Sequence, residues 1–262
     1  MNQVTSKDGT SIAFETHGQG PALILVDGAL CSRRFGPMPK LAELFAAHFK
    51  VFMYDRRGRG DSGNVKPYAP EREVEDIAAL IQAAGGSAAA LGLSSGGALA
   101  LSAAAAGLPL TRVVAYEPPF VEADSSTRGQ QHQANLEALV AKDDRGGAVR
   151  YFMGPMVGVP AAVVFMMQLM PWVWPKLKAV AHTLPHDAAI LGDFRVPKAR
   201  LSQIKIPTLI MHGGKTDERL KQAAISAAAV SGARHEVLPG QTHNVAGAAL
   251  LPAVREFLLQ GA

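Results

Sequence analysis

The order of apolar runs along the chain predicts an α/β fold, a mostly parallel sheet flanked by helices. Three observations carry this reading. Short apolar runs ending in turn residues recur; segments with one-face helical spacing lie between them; and one long stretch without strand character interrupts the alternation after the fourth run.

The runs are Ala22 to Val26 (ALILV), Val51 to Tyr54 (VFMY), Ala88 to Leu93 (AAALGL), Val113 to Tyr116 (VVAY), Thr208 to Met211 (TLIM) and His235 to Leu238. Unbroken apolar stretches of this length read as strands buried on both faces. Val74, Ile77, Ala78 and Ile81 share one helical face, as do Leu250, Val254, Phe257 and Leu258 near the C-terminus. An Ala-rich helix follows the third run to about Ala106, with Gly107 as its stop.

Residues 121–200 hold Met, Pro, Trp and amphipathic segments but no convincing strand, and are expected to form a helical cap inserted into a core of residues 1–120 and 201–262. Most of the cap's apolar side chains would form its own core. Met153, Trp172 and Trp174 are the residues expected over a pocket beneath it.

At 262 residues, 48% hydrophobic and 18% charged, the chain has material for one full-sized core. Lys and Arg number 26 against 22 Asp and Glu, for a net charge of +4. The basic residues are scattered among acidic neighbours, which excludes a nucleic-acid surface. The one dense cluster, Arg56, Arg57 and Arg59, lies among Gly58, Gly60 and Asp61 and reads as a structured loop. The opening MNQVTSKDGT has no apolar run behind a basic end, and no apolar segment is long enough to span a bilayer, so a soluble cytoplasmic protein is expected. Cys31 stands alone, which excludes an internal disulfide and fits a small packing residue. A homodimer is left open.

Gly92-Leu93-Ser94-Ser95-Gly96 falls between a strand and a helix, the context that a nucleophile elbow requires. A serine there takes strained backbone angles, and flanking glycines avoid collisions with the neighbouring strand and helix. Ser94 is thus the candidate nucleophile. Its hydroxyl needs a base, which for this elbow comes late in the chain, after the last strand. His243 in Pro239-Gly240-Gln241-Thr242-His243 has that position. Of the other histidines, His235 and His212 belong to strands, and His17 and His48 precede the elbow. His182 and His186 are four apart, but Pro185 interrupts them and no third ligand is evident, so no metal site is expected. Backbone N–H groups of Ser95, just after the nucleophile, and Gly28, in the loop after an earlier strand, are the candidate donors to an oxyanion.

The segment Asp55-Arg-Arg-Gly58-Arg-Gly60-Asp-Ser62, the Ser94 elbow and the late His243 together resemble the α/β-hydrolase superfamily over nearly the whole chain. Within it, Asp27-Gly28, the elbow, Tyr116-Glu117-x-Pro119 and Gly240-x-x-His243 look like motifs of zearalenone lactonases and related bacterial hydrolases. The resemblance implies a serine esterase or lactonase that acts without a cofactor on a substrate with an apolar acyl or alcohol part. It also offers two places for the triad acid. The superfamily's usual position, counted from Gly213, falls on Thr216, one short of Asp217, whereas the lactonases carry the acid where Glu117 stands. Glu117 is favoured and Asp217 kept as the alternative. A cofactor-free haloperoxidase-type enzyme and a binding protein without turnover share the same fold and are the rival readings.

Overall fold

The computed structural model describes residues 1–121 and 127–260. In chain order the elements are β1 (Asn2–Thr5), β2 (Ser11–His17), β3 (Ala22–Val26), α1 (Met38–Phe45), β4 (Lys50–Tyr54), α2 (Pro70–Ala83), β5 (Ala88–Leu93), α3 (Ser95–Ala105) and β6 (Leu110–Tyr116). Then come α4 (Thr127–Ala141), α5 (Arg145–Tyr151), α6 (Ala161–Gln168), α7 (Trp174–Val180), α8 (Leu184–Leu191), α9 (Lys198–Leu201), β7 (Thr208–Gly213), α10 (Glu218–Ser231), β8 (Arg234–Leu238) and α11 (Gly247–Leu259).

Eight strands form one sheet in the order β1-β2-β4-β3-β5-β6-β7-β8. The pairs from β4 through β8 are parallel, and β1 and β2 add an antiparallel edge. All six strands read from apolar runs are present, but β8, read as buried, is a largely polar edge strand with only Leu238 buried. The β1–β2 hairpin was not expected, because β1 is mostly exposed and only Ile12, Ala13 and Phe14 of β2 are buried. The Asp8-Gly9 pair was its available signal: Gly9 has φ +85°, the left-handed conformation a tight hairpin turn demands.

Alternate residues of each central strand face opposite layers. Ile24, Val26, Phe52, Ala90, Val113 and Ile210 join the larger core, which includes α2, α3 and α10. Leu23, Leu25, Val51, Met53, Leu91 and Leu209 pack towards α1 and α11 through Met38, Phe45, Leu250, Val254 and Phe257. The four apolar residues read for the last helix are indeed its buried ones.

The α2 face differs from the apolar spacing read in the sequence: Glu73 and Asp76 are buried beside Ile77, Leu80 and Ile81, while Val74 is only half-buried. The reason is the arginine loop after β4. Arg56 forms a two-pronged pair with Glu73 at 2.6 and 2.8 Å, and Arg57 forms one with Asp76 at 2.8 and 2.7 Å. Arg56, Arg57 and Arg59 are among the largest fully buried side chains. Charges withdrawn from water are tolerable only when paired this completely.

Between β6 and β7 the described residues form helices and turns but no strand, and α8 packs against α3. Residues 122–126 of the cap expected over 121–200 lie outside the described residues. Among the described residues no helix is long and apolar enough to cross a membrane.

Candidate active site

Ser94 sits between β5 and α3 with φ +54° and ψ −128°, a conformation a side chain adopts only under constraint. The constraint is visible on both sides. A Cβ on Gly92 would lie 2.2 Å from the Gly96 carbonyl, and one on Gly96 would lie 2.2 Å from that of Val26. Glycine at both positions lets the strand turn sharply into the helix against β3. The Ser94 N–H donates to the Tyr116 carbonyl at 2.9 Å, and Leu93 pairs with Tyr116 in the β5–β6 register. Ser94 and Glu117, each one residue further, therefore lie side by side at the carboxyl ends of adjacent strands.

Glu117 is fully buried and also has positive φ, +47°. Its N–H donates to the Met211 carbonyl at 2.9 Å, which holds the residue at the sheet's rim. Its carboxylate accepts from the Gly213 N–H at 2.7 Å, the Thr216 hydroxyl at 3.0 Å and His243 Nδ1 at 2.7 Å. Burial opposes its ionisation, but the bonds from His243 and the Gly213 N–H outweigh burial and hold the carboxyl below its usual range. With the carboxylate ionised, Nδ1 carries the proton and Nε2 is left as the basic nitrogen.

Asp217 serves elsewhere, as the cap of α10: it accepts from the Arg219 N–H at 2.9 Å, with its side chain half exposed. The slot one residue earlier, Thr216, contributes a hydroxyl to Glu117. Two further contacts, which the sequence did not indicate, shape the His243 loop. Tyr116 donates its hydroxyl to the Thr242 carbonyl at 2.6 Å, and the Lys215 N–H donates to that of Gln241 at 2.8 Å. His243 itself is partly open to solvent, and the Ser94 hydroxyl makes no hydrogen bond to a described residue.

Gly28 lies against Ser94: a Cβ there would stand 3.2 Å from Ser94 Cβ. Its N–H donates at 2.9 Å to Oδ1 of Asp27. That bond qualifies the sequence reading, since the Gly28 donor is already engaged and is freed only when the Asp27 side chain swings aside. Ser95 opens α3, where first-turn N–H groups lack a partner within the helix. Burial raises the Asp27 carboxyl to about 7 despite Arg59 nearby. An acid whose folded pKa exceeds its unfolded value stabilises below the unfolded pKa and loses that stability as pH rises through the folded one. Wild type should therefore lose thermal stability relative to Asp27→Asn as pH rises from about 4 through 7. Parallel melting-temperature profiles for the two proteins would contradict this.

The three residues expected over the pocket are dispersed. Trp172 is 64% exposed, so it faces solvent instead of roofing an enclosed space. Trp174 starts α7 and Met153 follows α5, both half-buried against the larger core. Trp174 packs near Gly146 of α5. His186 stacks face to face on Tyr68 with ring centroids 3.6 Å apart, and among the described residues no group of three His, Cys, Asp or Glu side chains could hold a metal.

A twisted, mostly parallel sheet with a strained serine at the strand-to-helix turn and a carboxylate-bound histidine after the last strand defines a hydrolase scaffold. Residues 17–252 match the profile of the Alpha/beta hydrolase family, and the chain belongs to that family. Among solved structures it is similar to an alpha/beta hydrolase from Sphaerobacter thermophilus DSM 20745, with 49% identity and TM-score 0.90 over 98% of this chain and 100% of the other. It is also similar to a hydrolase from Pseudomonas aeruginosa PA01, at 25% identity and TM-score 0.74 over 100% and 98% of the two chains. The enol-lactonase from Burkholderia xenovorans LB400 shares the fold, at 23% identity and TM-score 0.70 over 98% and 99%. Comparison with curated protein sequences finds no match.

Proposed function

We propose that this hydrolase cleaves a carboxylic ester or lactone through a Ser94-His243-Glu117 triad and an acyl-enzyme. The observation that carries this reading is the 2.7 Å bond from His243 Nδ1 to the buried Glu117, made at the strand end beside the strained Ser94. Glu117 fixes the tautomer that leaves Nε2 free to take the Ser94 proton, and it stabilises the imidazolium that results. Ser94 Oγ attacks the carbonyl carbon. The N–H groups of Ser95 and Gly28 receive the oxyanion, the latter exchanging Asp27 for it. His243 then protonates the departing alcohol, and water, activated by the same imidazole, releases the acid. No step of this route calls for a metal or organic cofactor.

The helices between β6 and β7 supply apolar side chains for the acyl or alcohol part, Met153 and Trp174 foremost. Trp174→Ala should then change preference between long-chain and acetyl esters by more than it changes acetyl turnover. An equal loss on every substrate would mean that Trp174 only supports folding.

Steady-state turnover of p-nitrophenyl esters of increasing chain length, together with macrolactones, tests the proposal. Hydrolysis of at least one class is expected. Halide oxidation without ester turnover would favour a haloperoxidase-type activity, and tight binding without turnover a non-catalytic role.

A further inference from the structure

The arginine loop after β4 reaches the catalytic loops through one carboxylate. Asp187, on α8, is buried, as are the groups around it. Its Oδ1 accepts from the Ser95 hydroxyl and from Arg56 Nη1, both at 2.7 Å, and its Oδ2 accepts from Arg59 Nη2 at 2.7 Å. The two arginines continue to the loop after β3. Arg56 Nη1 donates to the Asp27 carbonyl at 3.2 Å, and Arg59 Nη1 donates to the Gly28 carbonyl. Arg59 is held on its other side by Thr183, through Nε at 3.1 Å.

Peptide geometry gives these contacts a consequence. In a trans peptide the carbonyl and the following N–H point to opposite sides, so a donor that fixes the Asp27 carbonyl also fixes where the Gly28 N–H points. The Ser95 side chain is tied to the same carboxylate, and its own N–H is the second proposed donor. We infer that Asp187 is a positioning residue that sets both walls of the oxyanion site, one through the Ser95 hydroxyl and the other through Arg56 and Arg59. This rests on the hydrolytic reading above and adds a residue to it from a segment far away in the chain. Preorganised donors act at full strength because nothing reorients as charge develops. Burial opposes ionisation of Asp187, but Arg59 and Arg56 outweigh it and hold the carboxyl at about 2, so the hub stays charged at neutral pH.

Kinetics of p-nitrophenyl acetate hydrolysis, with melting temperatures, test this on the full chain. Asp187→Asn keeps the shape and removes the charge. It should lower kcat by about a hundredfold, the scale of losing one preorganised donor, with KM changed by less than about threefold. Glu73→Gln is the control, since it weakens Arg56 from the side away from the catalytic loops. It should lower the melting temperature at least as much while keeping kcat within about fivefold of wild type, the scale of one neutral hydrogen bond. If Asp187→Asn does not fold, Ser95→Ala decides: it removes the hydroxyl's bonds to Asp187 and Arg56 alone and should lower kcat by roughly tenfold, the scale of one hydrogen bond to a charged group, with KM changed by less than about threefold and some loss of melting temperature. Wild-type kcat in Asp187→Asn or, where that variant is unfolded, in Ser95→Ala overturns the inference, as do equal kcat losses in Asp187→Asn and Glu73→Gln. Turnover in wild type with these variants unaltered overturns the inference alone. No ester turnover in wild type removes the hydrolytic reading and the inference together.

Discussion

Ser94→Ala should leave no measurable ester hydrolysis in a protein that still folds. In a serine protease of another fold, removing the nucleophile costs on the order of 10⁶ in kcat, and the loss here should approach that scale. Stability should hardly change. The Ser94 hydroxyl makes no hydrogen bond to a described residue, and alanine meets the same positive φ as serine, so no contact is lost and no strain is added. Melting temperatures should agree within about 2 °C, as expected of a substitution without a structural penalty in a chain this long. Activity and stability together separate a lost nucleophile from a damaged fold.

Glu117→Gln should cost about four orders of magnitude in kcat, the scale seen when a triad acid becomes its amide in an unrelated fold. Three donors converge on the Glu117 carboxylate, from Gly213, Thr216 and His243. An amide offers only one acceptor oxygen and adds an NH₂ donor, so at least one of these groups faces a donor, and stability should fall by about 1–3 kcal/mol. A carboxyl held below its usual range stabilises the fold above its unfolded pKa and loses that contribution as pH falls through the folded one. The stability gap between wild type and Glu117→Gln should therefore narrow in acid. Asp217→Asn should stay within about tenfold of wild type, no more than roughly 1.4 kcal/mol in the barrier, because Asn caps a helix nearly as well as Asp. Reversed results would give Asp217 the role proposed for Glu117.

Much of this arrangement was legible because it depends on short-range signals. Strands β3 to β7 each hold a continuous apolar run, whereas β8 is largely polar and buries only Leu238, and the elbow needs glycine at 92 and 96, where a Cβ would meet a backbone carbonyl. The choice between Glu117 and Asp217 was less legible, since either loop could reach an imidazole; the proposal for Glu117 draws on its bonds from His243 and Thr216, where Asp217 instead accepts from Arg219. The ion-pair network could not be read at all. Arg56 meets Asp187 across 131 positions of chain, and no local pattern marks the two as partners. The same network explains why α2 buries Glu73 and Asp76, which spacing alone assigns to solvent. The Asp27 bond to the Gly28 N–H is equally hidden, because it depends on one side-chain torsion.

Intact-protein mass spectrometry after exposure to a serine-directed fluorophosphonate tests the central claim most directly. The account predicts one adduct per chain, mapped to the peptide holding Ser94 and absent from Ser94→Ala. An adduct on another residue, or ester turnover with Ser94 unlabelled, would contradict it.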